Sequence, residues 1–237
     1  MIESAMVLAA GFGTRMRPIT DRTPKPLIPL AGRPLIDHVI DRLVEAGVKR
    51  VVINTHYKAE MMAAHLEGRR DIAITLSHEP ELLDTGGGVK QALPLLGEEF
   101  FVLNSDVFWL NAKVPVLTRL ARAWDSARLD ALLLVQRTVT AIGYDGPGDF
   151  VVDPLGRLRR RAEREVAPHL YAGIEVLSRR FFDAAPTGAF SLNPLWNRAI
   201  EAGRLEAIIH DGEWFHVGTP QGLAASEERL RHHGVWR

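Results

Sequence analysis

The sequence predicts an α/β fold, a single domain on a doubly wound, mostly parallel mixed sheet, and three observations carry that expectation. Apolar runs of strand length alternate with segments of helical periodicity, the pattern of strands buried on both faces and joined by crossover helices. Glycine- and acid-bearing motifs follow the strand ends, where ligands of such sheets sit. The 237 residues contain no Gly-, Ser- or Pro-rich linker, no internal repeat and no low-complexity tract, which suits one sizeable core.

Ala5–Ala9 reads as the first strand, and Pro34–Ala46 as a helix with Pro at its start and Gly47 past its end. Arg50–Asn54 is a second strand, Ala59–Leu66 a helix and Ile72–Leu76 a third strand. Gly87–Leu93 reads as a helix stopped by Pro94, which lacks the N–H another turn needs. Phe100–Leu103 is a fourth strand running into Asn104-Ser105-Asp106. Val114–Ala127 then has a helical pattern, and Ala131–Gln136 is a strand. From Gly143 the texture changes. Gly146-Pro147-Gly148-Asp149 is a loop, and Phe150–Arg160 a hairpin turning at Pro154-Leu155-Gly156. Leu170–Leu177 is another strand, and Asn193–Ala202 a helix ended by Gly203. Leu205–Ile209 and Trp214–Val217 are the last strands before a closing helix from Pro220 to about His232.

Lys+Arg and Asp+Glu both number 29. That balance argues against nucleic acid or an anionic membrane as the main partner. No Cys occurs, which excludes a disulfide framework, thiol catalysis and thiolate metal sites. The N-terminus has no signal-peptide pattern, and no apolar run approaches a membrane span. A cytoplasmic protein is the expectation.

The most informative segment runs Met6-Val7-Leu8-Ala9-Ala10-Gly11-Phe12-Gly13-Thr14-Arg15-Met16-Arg17-Pro18, followed by Thr23-Pro24-Lys25-Pro26-Leu27. The glycines let backbone N–H groups close on phosphate oxygens as an anion nest. Thr14 adds a hydroxyl donor and Arg15 a planar fork of donors. Lys25 sits between two prolines that stiffen its backbone. A dinucleotide fingerprint would need glycine at Met16 and an acid at Asn54, and a Walker loop would need Gly-Lys before Ser or Thr; both are missing. The segment reads as a triphosphate grip.

Leu8-Ala9-Ala10-Gly11-x-Gly13-Thr14-Arg15-Met16-x-Pro18 and Thr23-Pro24-Lys25-Pro26-Leu27 resemble the signature of the sugar-1-phosphate nucleotidyltransferases. The likeness continues through Gly32-Arg33-Pro34-Leu35-Ile36, Thr85-Gly86-Gly87-Gly88, Asn104-Ser105-Asp106-Val107 and Trp214-Phe215-His216-Val217-Gly218-Thr219-Pro220, and so covers nearly the whole chain. It implies a Rossmann-like fold of the nucleotide-diphospho-sugar transferase type. The implied reaction is in-line attack by a sugar-1-phosphate on the α-phosphorus of a nucleoside triphosphate, with pyrophosphate leaving. Because the substrate supplies the nucleophile, catalysis reduces to positioning and charge neutralisation. Residues 1–136 would form the nucleotide-binding half, and 137–237 the sugar-phosphate half with the closing helix. Among short single-domain members the likeness is to the N-acetylmuramate-1-phosphate uridylyltransferases of cell-wall recycling, on Asp84-Thr85-Gly86-Gly87-Gly88, Gly148-Asp149-Phe150 and Gly212-x-Trp214. A mannose- or heptose-1-phosphate guanylyltransferase and a non-catalytic sensing module stand as alternatives, and monomer and homodimer both stay open.

The resemblance implies Arg15 and Lys25 as the catalytic cations. Leu8, Ala9, Ala10, Gly11, Gly13, Thr14, Thr85, Gly86, Gly87 and Asn104 would hold the nucleotide. Asp149, Gly173 and Asn193 fall where the sugar is bound, although a turn, a bulge and a helix cap are their ordinary readings. Asp106, in Asn104-Ser105-Asp106 where the family has Asn-Gly-Asp, is the metal carboxylate. Mg²⁺ is expected, since it uses one or two carboxylates plus substrate phosphates, with Mn²⁺ as the other option. His216 departs from the family, which carries Asp there as a second metal ligand. If the imidazole ligates, activity should fall below about pH 6 as it protonates. Arg159, Arg160 and Arg161 could replace the family's sugar-phosphate lysine, whose Glu-Lys-Pro motif is missing.

Overall fold

In the computed structural model, which describes residues 2–234, the first apolar run forms the strand Ser4–Leu8 (β1). Its alternate side chains serve two cores. Ala5 and Val7 face one, Met6 the other, and all three are fully buried. That is why the run is continuously apolar rather than alternating.

A loop with three short 3₁₀ turns leads to the ribbon Pro29–Leu30 (β2) and Arg33–Pro34 (β3), then to Leu35–Glu45 (α1). Arg50–Thr55 (β4), Ala59–Leu66 (α2), Ala73–His78 (β5), Asp84–Ala92 (α3) and Glu99–Asn104 (β6) complete the first run of alternation. Val107–Leu110 (β7), Val116–Ala123 (α4), Ala131–Arg137 (β8) and Ala141–Ile142 (β9) follow. The hairpin is Phe150–Val152 (β10) with Leu158–Arg160 (β11), and after it comes the long strand His169–Ser178 (β12). Asn193–Glu201 (α5), Leu205–Ile209 (β13), Glu213–His216 (β14) and Pro220–His232 (α6) close the chain. Met1 and residues 235–237, the ends of the predicted domain, lie outside the described residues.

The main sheet has nine strands in the order β11-β10-β12-β6-β1-β4-β5, with β8 on the other side of β12 and β13 beyond it. β1, β4, β5 and β6 are parallel, as are β8 and β13, while β12 runs against both β6 and β8. The predicted mixed, doubly wound sheet is therefore present. Helices α1, α2 and α4 supply Ile36, Met62 and Leu120 to one core, and α3 and α5 supply Val89 and Trp196 to the other. A third cluster holds Met16, Phe108, Phe215 and Leu230 beneath α6.

Three expectations need correcting. The helix predicted from Gly87 begins at Asp84, and Pro94 lies in a 3₁₀ turn, Leu93–Leu95, that extends it. The helix predicted over 114–127 is shorter, because Pro115 opens it and Trp124 is extended. Strand β7 escapes the sequence pattern, since Ser105-Asp106 makes a tight turn that runs its apolar residues on from β6. It pairs with β14, which also pairs with β9, in a separate small sheet.

Candidate active site

A cleft of about 500 Å³ opens where the carboxyl ends of β1 and β6 meet the start of α3. Its walls include Leu8, Ala9, Ala10, Gly11, Gly13, Thr14 and Arg15 from the first loop, Lys25, and Asn104, Ser105 and Asp106 from the β6 end. The position matches the crevice in which such sheets bind ligands. Gly13 has a φ of 64°, and a Cβ there would lie 2.8 Å from Thr20 Cγ2 and 3.1 Å from Lys25 Cβ. Only glycine suits that conformation and that approach. Thr20 locks the loop by donating its hydroxyl to the Gly13 carbonyl at 2.9 Å.

Lys25 reaches across 81 positions of sequence to donate from Nζ to Asp106 Oδ2 at 2.5 Å. Their side chains are only 12% and 21% exposed, so the pair is little screened by water. Burial pushes the Asp106 carboxyl up, but Lys25, His216 and Arg15 together outweigh it and hold the pKa below the usual carboxylate range. Asp106 is ionised at neutral pH. His216, at the end of β14, places Nε2 3.9 Å from Asp106 Oδ2 and stacks on Trp214. Burial lowers its pKa from 6.5; Asp106 opposes the shift, and Lys25 and Arg15 add to it. The imidazole is therefore neutral at pH 7, and its protonation moves to lower pH than an unperturbed histidine implies. Among the described residues, no cluster of three or more His, Cys, Asp or Glu side chains could hold a metal by itself. Asp106 with His216 suits a cation that takes its remaining ligands from substrate phosphates and water.

Under the first loop lies a buried polar relay that sequence reasoning missed. The Ala9 N–H donates to Asn54 Oδ1 at 2.7 Å, and Asn54 Nδ2 donates to Glu79 Oε1 at 2.7 Å. Glu79 Oε2 accepts from the Leu83 N–H at 2.9 Å, tying the entry of α3 to the loop. A Cβ on Gly88 would fall 2.6 Å from Glu79 Oε1, which explains the third glycine of the Gly86-Gly87-Gly88 run. A polar residue ending an otherwise apolar strand, Asn54, is the signal that could have exposed the relay.

Thr85 lines the cleft, but Gly86 and Gly87 do not. Both of their N–H groups donate to the Phe190 carbonyl, at 2.8 and 3.0 Å, and a Cβ on Gly86 would strike the Phe190 ring. These glycines let the 188–192 segment dock on α3. Thr85 Oγ1 accepts from the Leu192 N–H at 3.0 Å and so joins the start of α5 to the cleft.

Gly173 sits in a bulge of β12 between Tyr171 and Glu175, at a φ of 75°. A Cβ there would come within 3.0 Å of Asn104 Nδ2 in the cleft wall. Asp149 Oδ2 accepts from the Tyr171 N–H at 2.8 Å and anchors the hairpin to β12. Asn193 is the first residue of α5; Leu192 precedes it as the cap, and Asn193 Oδ1 accepts from Arg160 at 2.8 Å.

The match to known proteins agrees with this layout. The Nucleotidyl transferase family model matches residues 4–144. The chain is 43% identical over 232 residues to N-acetylmuramate alpha-1-phosphate uridylyltransferase of Caulobacter vibrioides, covering 95% of this chain and 96% of that protein. The chain belongs to the nucleotidyl transferase family. The enzyme of the same name from Neisseria meningitidis serogroup B is 32% identical, with 98% and 99% covered. The crystal structure of UDP-glucose pyrophosphorylase complexed with UDP-glucose superposes with a TM-score of 0.80 at 17% identity, over 98% of this chain and all of that one. That likeness shows the fold. No described helix of this nucleotidyl transferase is long and apolar enough to cross a membrane.

This nucleotidyl transferase also carries a buried group beside the cleft that the sequence did not mark. Glu175 on β12 has no exposed surface, and its two oxygens accept from the Tyr171 hydroxyl at 3.0 Å and from Trp196 Nε1 at 2.9 Å. Burial pushes its carboxyl up to about 8, against both hydrogen bonds.

Proposed function

We propose that this nucleotidyl transferase moves a uridylyl group from UTP to N-acetylmuramate 1-phosphate, releasing pyrophosphate. The observation that carries the reading is the convergence of Lys25, Arg15 and Asp106 on one cleft in a chain 43% identical, over 95% of its length, to such an enzyme. A non-bridging oxygen of the sugar phosphate attacks the α-phosphorus, forming one P–O bond. The bond from the α-phosphorus to the bridging oxygen breaks, and pyrophosphate carries away the electron pair.

The N–H groups of the Gly11–Thr14 loop and the Arg15 guanidinium bind the triphosphate. Lys25 stabilises the charge developing on the α-phosphoryl oxygens and the leaving group. Lys25 also contacts Asp106 directly, so its ammonium links the carboxylate to the phosphates. Asp106, with His216 beside it, would hold Mg²⁺ or Mn²⁺, which when bound neutralises phosphate charge. Residues 1–136 serve the nucleotide, and 137–237, with Asp149, Gly173 and Asn193, the sugar phosphate. The enzyme works in the cytoplasm on small molecules rather than on nucleic acid or membrane.

A panel measuring pyrophosphate release tests the reading. UTP, GTP, dTTP and CTP are each paired with the 1-phosphates of N-acetylmuramate, N-acetylglucosamine, glucose and mannose. UTP with N-acetylmuramate 1-phosphate should give the highest kcat/KM. GTP with mannose 1-phosphate in first place would overturn the assignment, as would no turnover with any pair.

A further inference from the structure

Arg159 and Arg160 end the hairpin strand β11 and Arg161 follows it, and the structure gives the three different fates. Arg159 forms a two-pronged ion pair with Glu165, at 2.8 and 2.6 Å. Arg161 spends its donors on the carbonyls of Gly148, Ala162, Glu163 and Glu165, all at 3.1 Å. Arg160 turns inward instead. Its guanidinium lies over the Phe150 ring at 4.7 Å and the Trp196 ring at 5.4 Å. Nε donates to Asn197 Oδ1 at 2.8 Å, and Nη2 donates to Asn193, at 2.8 Å to Oδ1 and 3.3 Å to its carbonyl.

Every one of those partners is neutral. Among the described residues no carboxylate lies within ion-pair distance of Arg160, and its Nη1 makes no hydrogen bond. A half-buried cation held only by amides and ring faces pays for desolvation without a counter-charge. Burial accordingly pulls the Arg160 pKa below its usual value, and the more distant Asp149 only partly opposes this. Arg69, also half-buried, is by contrast paired with Asp37, Asp41 and Asp71.

Arg160 is not in the cleft wall, but it is linked to it through the start of α5. Asn193 follows Leu192, whose N–H is held by the cleft residue Thr85 at 3.0 Å. Trp196 packs edge-on against Tyr171 at 4.7 Å, and Tyr171 is close enough for the Asp106 charge to act on its hydroxyl. Arg160 is thus tied through Asn193 and Leu192 to Thr85 of the cleft, within the half left over once Lys25 and Arg15 serve the phosphates.

We infer that Arg160 is a specificity-determining residue that binds a carboxylate on the sugar, distinct from its 1-phosphate. This rests on the function proposed above: a muramate is an N-acetylhexosamine with a carboxylate on an ether side chain, whereas N-acetylglucosamine has the same ring and lacks it. A planar guanidinium with free N–H groups is suited to a carboxylate. The contacts with the two rings and the hydrogen bonds to the two asparagines restrain the fork, so little side-chain entropy remains to be lost on binding.

Kinetics with both sugar 1-phosphates and UTP, together with binding of the free sugars N-acetylmuramic acid and N-acetylglucosamine, test the assignment in wild type, Arg160→Gln and Arg160→Lys. Arg160→Gln should raise KM for N-acetylmuramate 1-phosphate by about 10- to 100-fold, the usual effect of losing a charge-assisted hydrogen bond. Its KM for N-acetylglucosamine 1-phosphate, measured as substrate or as competitive inhibitor, should not change. Arg160→Lys should recover part of the loss, because it keeps the charge but not the fork.

Equal losses for both sugars would show that Arg160 serves the phosphate or the fold, and would overturn the inference. So would a wild-type protein that binds the two free sugars equally. Should wild type fail to transfer uridylyl groups yet prefer the free carboxylate sugar in an Arg160-dependent way, the proposed reaction falls and the Arg160 assignment stands. If Arg160→Gln does not fold, Arg160→Lys alone decides, by a selective or a uniform loss.

Discussion

Replacing Glu175 by Gln should remove a pH dependence of stability that the wild-type protein carries. The carboxyl is fully buried, and its pKa rises from 4.5 to about 8 because desolvation outweighs the hydrogen bonds from Trp196 and Tyr171. The folded protein thus keeps a proton that the unfolded chain releases. Below about pH 4.5 both states are protonated and the favourable contribution is complete. As pH rises from there to about 8, stability falls by about 1.4 kcal/mol per unit, or about 5 kcal/mol in all. That is a large share of the roughly 5–15 kcal/mol that holds a domain together.

Urea unfolding of wild type and Glu175→Gln at about pH 5 and about pH 9 measures the effect. Between those values the variant should gain about 4 kcal/mol relative to wild type, because part of the effect is already lost at about pH 5. Half-buried His38 and buried His169 and His210 act with the opposite sign. Burial lowers all three, so stability falls as pH drops below 6.5, where the unfolded chain takes up protons that the fold resists. They are common to both proteins and cancel in the difference. Parallel stability profiles for wild type and variant would refute the reasoning.

Lys25→Ala and Arg15→Ala should each lower turnover by at least ~100-fold in a protein that still folds, since each removes one positioned donor from the phosphates; steady-state pyrophosphate release checks both. Asp106→Asn keeps the shape of the side chain and removes its charge, so it should nearly abolish turnover, and EDTA should silence the wild type until Mg²⁺ is restored. His216→Ala should shift the Mg²⁺ titration to higher concentration while His216→Asp preserves or improves Mg²⁺-dependent turnover; an unchanged titration in His216→Ala would remove this side chain from the metal site.

The frame was legible because both faces of the sheet are buried. Met6 serves one core and Ala5 and Val7 the other, and such strands announce themselves as unbroken apolar runs. The cleft was legible where glycine and proline constrain the backbone, at Gly13 and around Lys25. The Lys25–Asp106 contact was not, because nothing in a linear pattern joins positions 81 residues apart. The packing role of Gly86 and Gly87 was hidden for a related reason. Glycine marks close approach, but the sequence does not name the neighbour, here Phe190 against Gly86 and the Gly188 carbonyl against Gly87. The arginine run was ambiguous until the partners of each guanidinium were visible.

The central claim is that the sugar phosphate attacks UTP directly, with no covalent intermediate on the protein. Two of the cleft hydroxyls are engaged elsewhere: Ser105 Oγ donates to the Leu8 carbonyl at 2.7 Å, and Thr85 Oγ1 accepts from Leu192. The competing nucleophile is the neutral His216 imidazole beside Asp106. UTP made chiral at the α-phosphorus by one sulfur atom separates the two routes, with the configuration of the UDP-sugar product read by phosphorus NMR. A single displacement predicts inversion. Retention would mean two displacements through a nucleotidyl-protein intermediate, and would contradict the account.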